Sequence, residues 1–349
     1  MEKKVSVFLS RKISHFSVVL TLWVIYIHYS TACLSNYIGG SKTWLRLLDY
    51  FGQGITRNAV PCFFIISGIL AFRNSNINSS SDLLQGAKKR IRTLGVPYLF
   101  WNVVAMAFYL ILDKIGNNNV YQISPLLFIE GLLGHKFLYS FWYVKNLFIF
   151  SVCAPILFYL IRSIRGYIVS LVVLIVIYFI FPSFATGLIF YVFGAGLAIH
   201  AKEFISKPVG KKSFIVIMMT FLLVQIGRVF VFNQTLNFSE ARELIGYRIY
   251  ELISPVLCWF AVDFIPFAKI KVYMFEKYTF CVYAMHNMCL SIICSRIVNS
   301  ILNLPNDNLI YTIGLFFIVP ITIYIAITLF SMFVERYVPR IYQLMTGGR

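Results

Sequence analysis

The sequence predicts an all-α polytopic membrane protein: a bundle of about ten transmembrane helices with both termini cytoplasmic. Three observations carry this. Of 349 residues, 59% are hydrophobic and 13% charged, against about 25% charged in ordinary soluble chains. Apolar runs recur at close to the roughly 20 residues a helix needs to cross a bilayer. The 31 lysines and arginines, against 13 acidic residues, gather on alternate connections, as cytoplasmic loops do. The same composition excludes a soluble globule, a disordered chain and a disulfide scaffold. The formal charge of +18 reads as loops facing anionic lipid, not as a nucleic-acid surface.

Taken in order, the apolar runs lie near residues 15–34, 58–73, 94–112, 141–161, 167–181, 184–200, 213–232, 252–267, 279–298 and 310–334. The second, fifth, sixth and eighth are short, and Pro61, Pro182, Pro255 and Pro266 are positioned to tilt or break them. With the N-terminus inside, the cytoplasmic side takes 21 of the 31 basic residues, from Lys3, Lys4, Arg11 and Lys12 through Lys88, Lys89, Arg90 and Arg92 to Arg336, Arg340 and Arg349. The first run holds His28 and continues without a small-residue cleavage pattern, so it reads as a retained span. The connections are too short for a further domain, and residues 1–349 read as one unit.

Ionisable groups within spans are costly and need a partner, a cavity or a task. His28 lies deep in the first span beside Tyr26, Tyr29 and Ser30. It fits either a general base, since imidazole titrates closest to neutral, or a neutral side chain satisfied by a neighbouring helix. His286, in Tyr283-Ala284-Met285-His286-Asn287, is either a second polar wall of the same cavity or a hydrogen-bonding contact between helices. Arg228, Glu251, Asp263 and Arg296 fall near span ends, where snorkelling is the default reading. Between Ser81 and Arg92, Leu83, Leu84, Ala87 and Ile91 recur at helical spacing before four crowded cations. This predicts an interfacial helix whose cations meet either lipid headgroups or a polyphosphate held by the planar forks of Arg90 and Arg92. The seven cysteines read as small buried residues, and no metal-ligand spacing is present.

Several motifs in chain order resemble the acyltransferase family three, membrane enzymes that O-acylate bacterial surface carbohydrates. Ala59-Val60-Pro61-Cys62-Phe63-Phe64-Ile65-Ile66-Ser67-Gly68 resembles the family's second-helix signature. Lys88-Lys89-Arg90-Ile91-Arg92 leading into Val96-Pro97-Tyr98-Leu99-Phe100-Trp101 is similar to its Arg-x-Arg element. Phe141-Trp142-Tyr143-Val144-Lys145-Asn146-Leu147 with Ala154-Pro155, and Tyr283 with His286, match later elements. The resemblance runs from about residue 13 to 340. It implies a single transmembrane acyltransferase domain in the bacterial cytoplasmic membrane. It also implies an acyl-CoA donor, acetyl-CoA or another, used as substrate with no permanently bound cofactor and no metal. Within that resemblance His28 is implied as catalytic, and Arg90 and Arg92, with Lys89 beside them, as donor-handling. The position eleven residues before the histidine, basic in the family, is Ser17 here.

The expected acceptor is a carbohydrate or lipid-linked oligosaccharide hydroxyl, approached through a cavity or acceptor face formed from Arg57, Asn58, Ser67, Trp142, Tyr143, Lys145, Tyr283 and His286. Membrane lipid is the other expected partner. The rival reading is a polysaccharide polymerase or flippase handling lipid-linked sugars, since many spans and aromatic cavities suit that task as well.

Overall fold

A backbone removed from water must satisfy its own N–H and C=O groups, which favours helix in each apolar run. A computed structural model describes residues 6–31, 48, 50–73, 81–116, 120–231, 244–265, 273–293 and 309–348, and every regular element among the described residues is helical. α1 (Val7–Tyr29) starts ahead of the first apolar run because Ser6 caps it, its side chain accepting from the Leu9 amide. Leu9, Ile13, Phe16 and Leu20 then form one buried stripe. A 3₁₀ turn (Ile55–Asn58) leads into α2 (Ala59–Phe72), and α3 (Ser81–Arg90) runs through a π turn (Ile91–Gly95) into α4 (Val96–Ile115).

After α5 (Pro125–Leu133) and a second 3₁₀ turn (Tyr139–Phe141), α6 (Trp142–Val152) and α7 (Ala154–Ile161) meet at 65°. The bend falls at Cys153, where Pro155 removes a backbone donor. α8 (Ile164–Ile180), α9 (Pro182–His200), the short α10 (Lys202–Ile205), α11 (Lys211–Val231) and α12 (Ile245–Ala261) follow, then α13 (Tyr273–Ile293), α14 (Leu309–Tyr337) and α15 (Pro339–Thr346). Pro182 opens its helix instead of breaking it, whereas Pro255 lies inside α12. Lys3, Lys4, Cys33, Pro266, Lys269, Lys271, Cys294, Arg296 and Arg349 lie outside the described residues.

The described part of each of the ten apolar runs falls mainly on helix. Among the described residues five helical stretches are long and apolar enough to cross a membrane: Val7–Tyr29, Tyr50–Phe72, Gln85–Ile115, Ile245–Phe264 and Ile313–Tyr337. The bent pair α6 and α7 adds a sixth if it is one span, and Ile164–Ile180 and Ala185–His200 are shorter apolar helices.

α2 and α9 pack backbone to backbone. A Cβ on Gly68 would strike the Tyr191 carbonyl, and one on Gly194 the Ile65 carbonyl, which is how small residues let helices approach in lipid. α1 lies against α2, α13 and α14, so its length is enclosed by the helices that carry the remaining polar groups.

Three ions expected to snorkel, and one expected at the cytoplasmic rim, turn inward. Lys12 is 2% exposed, paired with Asp263 and seated 3.8 Å from the centre of the Trp259 ring. Asp263 also accepts from the Val209 amide at 3.2 Å. Arg228 lies over the rings of Tyr50, Tyr247 and Tyr250 and donates to the Gln53 carbonyl at 2.9 Å. Glu251 accepts from the Tyr178 hydroxyl at 2.7 Å. In each case a partner on a neighbouring helix replaces the water that snorkelling would have sought.

Candidate functional site

His28 stands in the last turn of α1, half-buried. Tyr283 and His286 are three residues apart on α13 and so share a helix face. The rings of His28 and His286 lie 5.0 Å apart, and those of Tyr283 and His286 5.8 Å apart. His286 is fully buried, and its Nδ1 donates to the Tyr283 carbonyl at 2.6 Å. The Tyr283 hydroxyl is anchored by donating to the Ser140 carbonyl, with its ring stacked on Phe141 at 5.9 Å.

Arg57, in the 3₁₀ turn before α2, is tied through Gln53 to the end of α1 that carries His28. Gln53 holds that arrangement together. Its side-chain oxygen accepts from Arg57, while its amide donates to the Ile27 carbonyl and the Thr31 hydroxyl, both at 2.8 Å. Asn58 is buried but spends its amide on the Ile55 carbonyl at 2.8 Å, closing its own turn.

A cavity of about 180 Å³ extends from Arg90 to Tyr283. Its polar lining comes from Ser17 and Thr21 of α1, Ser67 of α2, Tyr143 and Ser151 of α6 and Thr279 of α13. Ser67 and Tyr143 share a hydrogen bond of 3.1 Å, and the Tyr143 ring meets that of Tyr283 edge to face at 5.8 Å. The cavity thus holds one cation, Arg90, among hydroxyl groups and two tyrosines, and the pair of imidazoles lies beyond Tyr283 without lining it.

Of the residues singled out in the sequence, Ser67, Tyr143, Tyr283 and Arg90 line the cavity, while His286 and His28 lie beyond Tyr283 and Arg57 is tied to the end of α1 through Gln53. Lys89 and Arg92 are exposed and do not line the cavity. Positions two apart on a helical turn face opposite ways, so an Arg-x-Arg pair presents one side chain inward and the other outward. Trp142 packs on Phe64 at 6.0 Å. Lys145 is half-buried near His135, whose imidazole is held below its ordinary pKa by burial and then by the Lys145 charge. Neither Trp142 nor Lys145 lines the cavity.

Sequence reasoning missed Thr21, Ser151 and Thr279 as cavity walls, and it noted Ser17 only as a departure from the family pattern. A signal was present in α1: Ser17, Thr21 and His28 are spaced by four and seven, which puts all three on one helix face. Ser17 and Thr21 also donate to the carbonyls of Ile13 and Ser17, at 2.7 and 2.8 Å.

A family model described as an acyltransferase domain matches residues 16–330. The succinoglycan biosynthesis protein ExoH of Rhizobium meliloti (strain 1021) is 30% identical over 98 residues, which are 27% of this chain and 25% of that protein. No solved structure matches the chain. A match over nearly the whole length, on an all-helical bundle with several membrane-compatible helices, leads to one identification: this chain belongs to the acyltransferase family three.

Proposed function

We propose that the protein is a multi-pass enzyme of the bacterial cytoplasmic membrane that moves an acyl group, acetyl in the simplest case, from acyl-CoA to a sugar hydroxyl of a cell-surface or lipid-linked polysaccharide. In this reading about ten helices form the bundle, both termini are cytoplasmic, and Arg90 faces the compartment that holds CoA. The observation that carries the reading is the cavity leading from the half-buried Arg90 to Tyr283, with His286 and His28 beyond it. The narrow cavity suits the thin pantetheine arm, with the nucleotide left at the rim where Arg90 grips phosphate through charge-assisted hydrogen bonds.

A thioester is already activated, so the remaining tasks are positioning, proton removal and stabilisation of the oxyanion. His28 takes the proton from the sugar hydroxyl as its oxygen attacks the thioester carbonyl. Arg57, linked through Gln53 to the turn of α1 that carries His28, stabilises the tetrahedral oxyanion. Collapse breaks the carbon–sulfur bond, and the departing thiolate takes the proton back from His28, leaving ester, CoA thiol and a neutral imidazole. The partial match to a succinoglycan biosynthesis protein supports a polysaccharide acceptor.

NMR of polysaccharide from cells with and without the protein tests this. The expected outcome is an unchanged polymer that has lost its O-acyl resonances. A polymer altered in length or export, with ester content per repeat retained, would instead favour a polymerase or flippase.

A further inference from the structure

His286 carries a feature that helix packing does not explain. Its Nδ1 lies 2.6 Å from the Tyr283 carbonyl, and a carbonyl only accepts, so in the neutral ring Nδ1 bears the proton and Nε2 is left as a lone pair. That Nε2 is buried with no hydrogen-bond partner among the described residues. A buried acceptor left unmet costs about 1–3 kcal/mol, a cost the fold retains at a position 5.0 Å, ring to ring, from His28. Two imidazoles joined by one N–H···N bond have their centres about 5 Å apart, from roughly 2.9 Å between nitrogens and roughly 1.1 Å from each nitrogen to its ring centre. The 5.0 Å spacing leaves room for such a bond, which is not formed as the rings stand and would need the His28 side chain to rotate.

Resting on the acyltransferase reading above, we infer that His286 is a positioning residue: a tautomer-locked acceptor that takes the N–H of His28 and fixes which His28 nitrogen faces the sugar hydroxyl. The relay runs from the Tyr283 carbonyl through Nδ1–H and Nε2 of His286 to His28. No proton is gained or lost at His286 over the cycle. The proton removed from the hydroxyl rests on the outer nitrogen of His28 until the CoA thiolate takes it. Holding one tautomer has a large effect on such bases, as the loss of about 10⁴-fold in kcat on disturbing the orienting aspartate of a serine protease triad illustrates.

The test uses the full chain purified in lipid, with acetyl-CoA and the polysaccharide repeat as substrates, and compares wild type with His286→Phe, His286→Gln and His28→Ala. His286→Phe keeps an aromatic ring but has no acceptor, and its kcat is expected to fall about 10²–10⁴-fold while KM for acetyl-CoA changes less than about threefold. His286→Gln offers an amide oxygen near the place of Nε2 and is expected to recover at least about tenfold over His286→Phe. Should His286→Phe fail to accumulate in the membrane, His286→Leu serves as the acceptor-free variant. Wild-type kcat in the acceptor-free variant, with His28→Ala inactive, would overturn the relay and leave the base assignment standing. A glutamine variant no faster than the acceptor-free one, at equal melting temperature, would also overturn it. Activity in His28→Ala would remove the base assignment and the relay together.

Discussion

Replacing Lys12 by alanine leaves the Asp263 carboxylate without its cation in a pair whose side chains are 2% and 3% exposed, and breaking a buried pair from one side costs about 3–5 kcal/mol. A lower melting temperature in detergent is expected, with partial recovery when Lys12→Met is combined with Asp263→Leu. This pair was hidden in the sequence because Lys12 stands among basic residues that look like a cytoplasmic rim. Only the Ser6 cap and the Leu9, Ile13, Phe16 stripe reveal that the helix has already begun there. The two arginines of the Arg-x-Arg element differ in the same local way. Arg90 lines the cavity and Arg92 is exposed, so Arg90→Ala should raise KM for acyl-CoA about 10-fold or more, the value of one charge-assisted hydrogen bond. Arg92→Ala should change it less than about threefold in the same assay, and equal effects would contradict the geometry. That His28 and Arg90 are polar groups at the bundle was readable from residue type and position, whereas the inward or outward choice within Arg-x-Arg needed the helical rotation between them.

At the scale of elements, the contact between α2 and α9 depends on Gly68 and Gly194, each facing a carbonyl of the other helix. Gly68→Leu forces the two helices apart, and overpacking of this kind costs about 1–3 kcal/mol. Because Ser67 of the same turn lines the cavity, the variant should lose both melting temperature and activity, whereas Gly86→Ala, on the exposed and uncrowded part of α3, should lose neither. Helix positions were read well from apolar runs because lipid-compatible segments have no alternative to internal hydrogen bonding. Two features escaped that reading. The π turn at Ile91–Gly95 has no hydropathy signature. The 65° bend between α6 and α7 falls inside a single apolar stretch, marked only by Ala154-Pro155.

Across the whole molecule, the apolar run at 141–161 is interrupted by the bend at Cys153, which shows that an apolar run is not by itself an unbroken helix. Helices such as Ile164–Ile180 have short apolar cores, which protein neighbours tolerate better than lipid does. The bundle is apolar overall, yet it holds a cavity lined by Arg90 and Tyr283, with the His286 and His28 rings beyond Tyr283, and no composition average would reveal it because its members come from α1, α2, α6 and α13. The proposed transfer requires that acyl-CoA and acceptor reach this cavity and the histidines from opposite faces. Proteoliposomes holding the purified protein, with acetyl-CoA confined to one side and acceptor saccharide to the other, test it most directly. Ester should form when CoA is on the face that carries Arg90 and the acceptor on the face that carries His28, and it should be lost with His28→Ala. Transfer only when both substrates share one face would contradict the account.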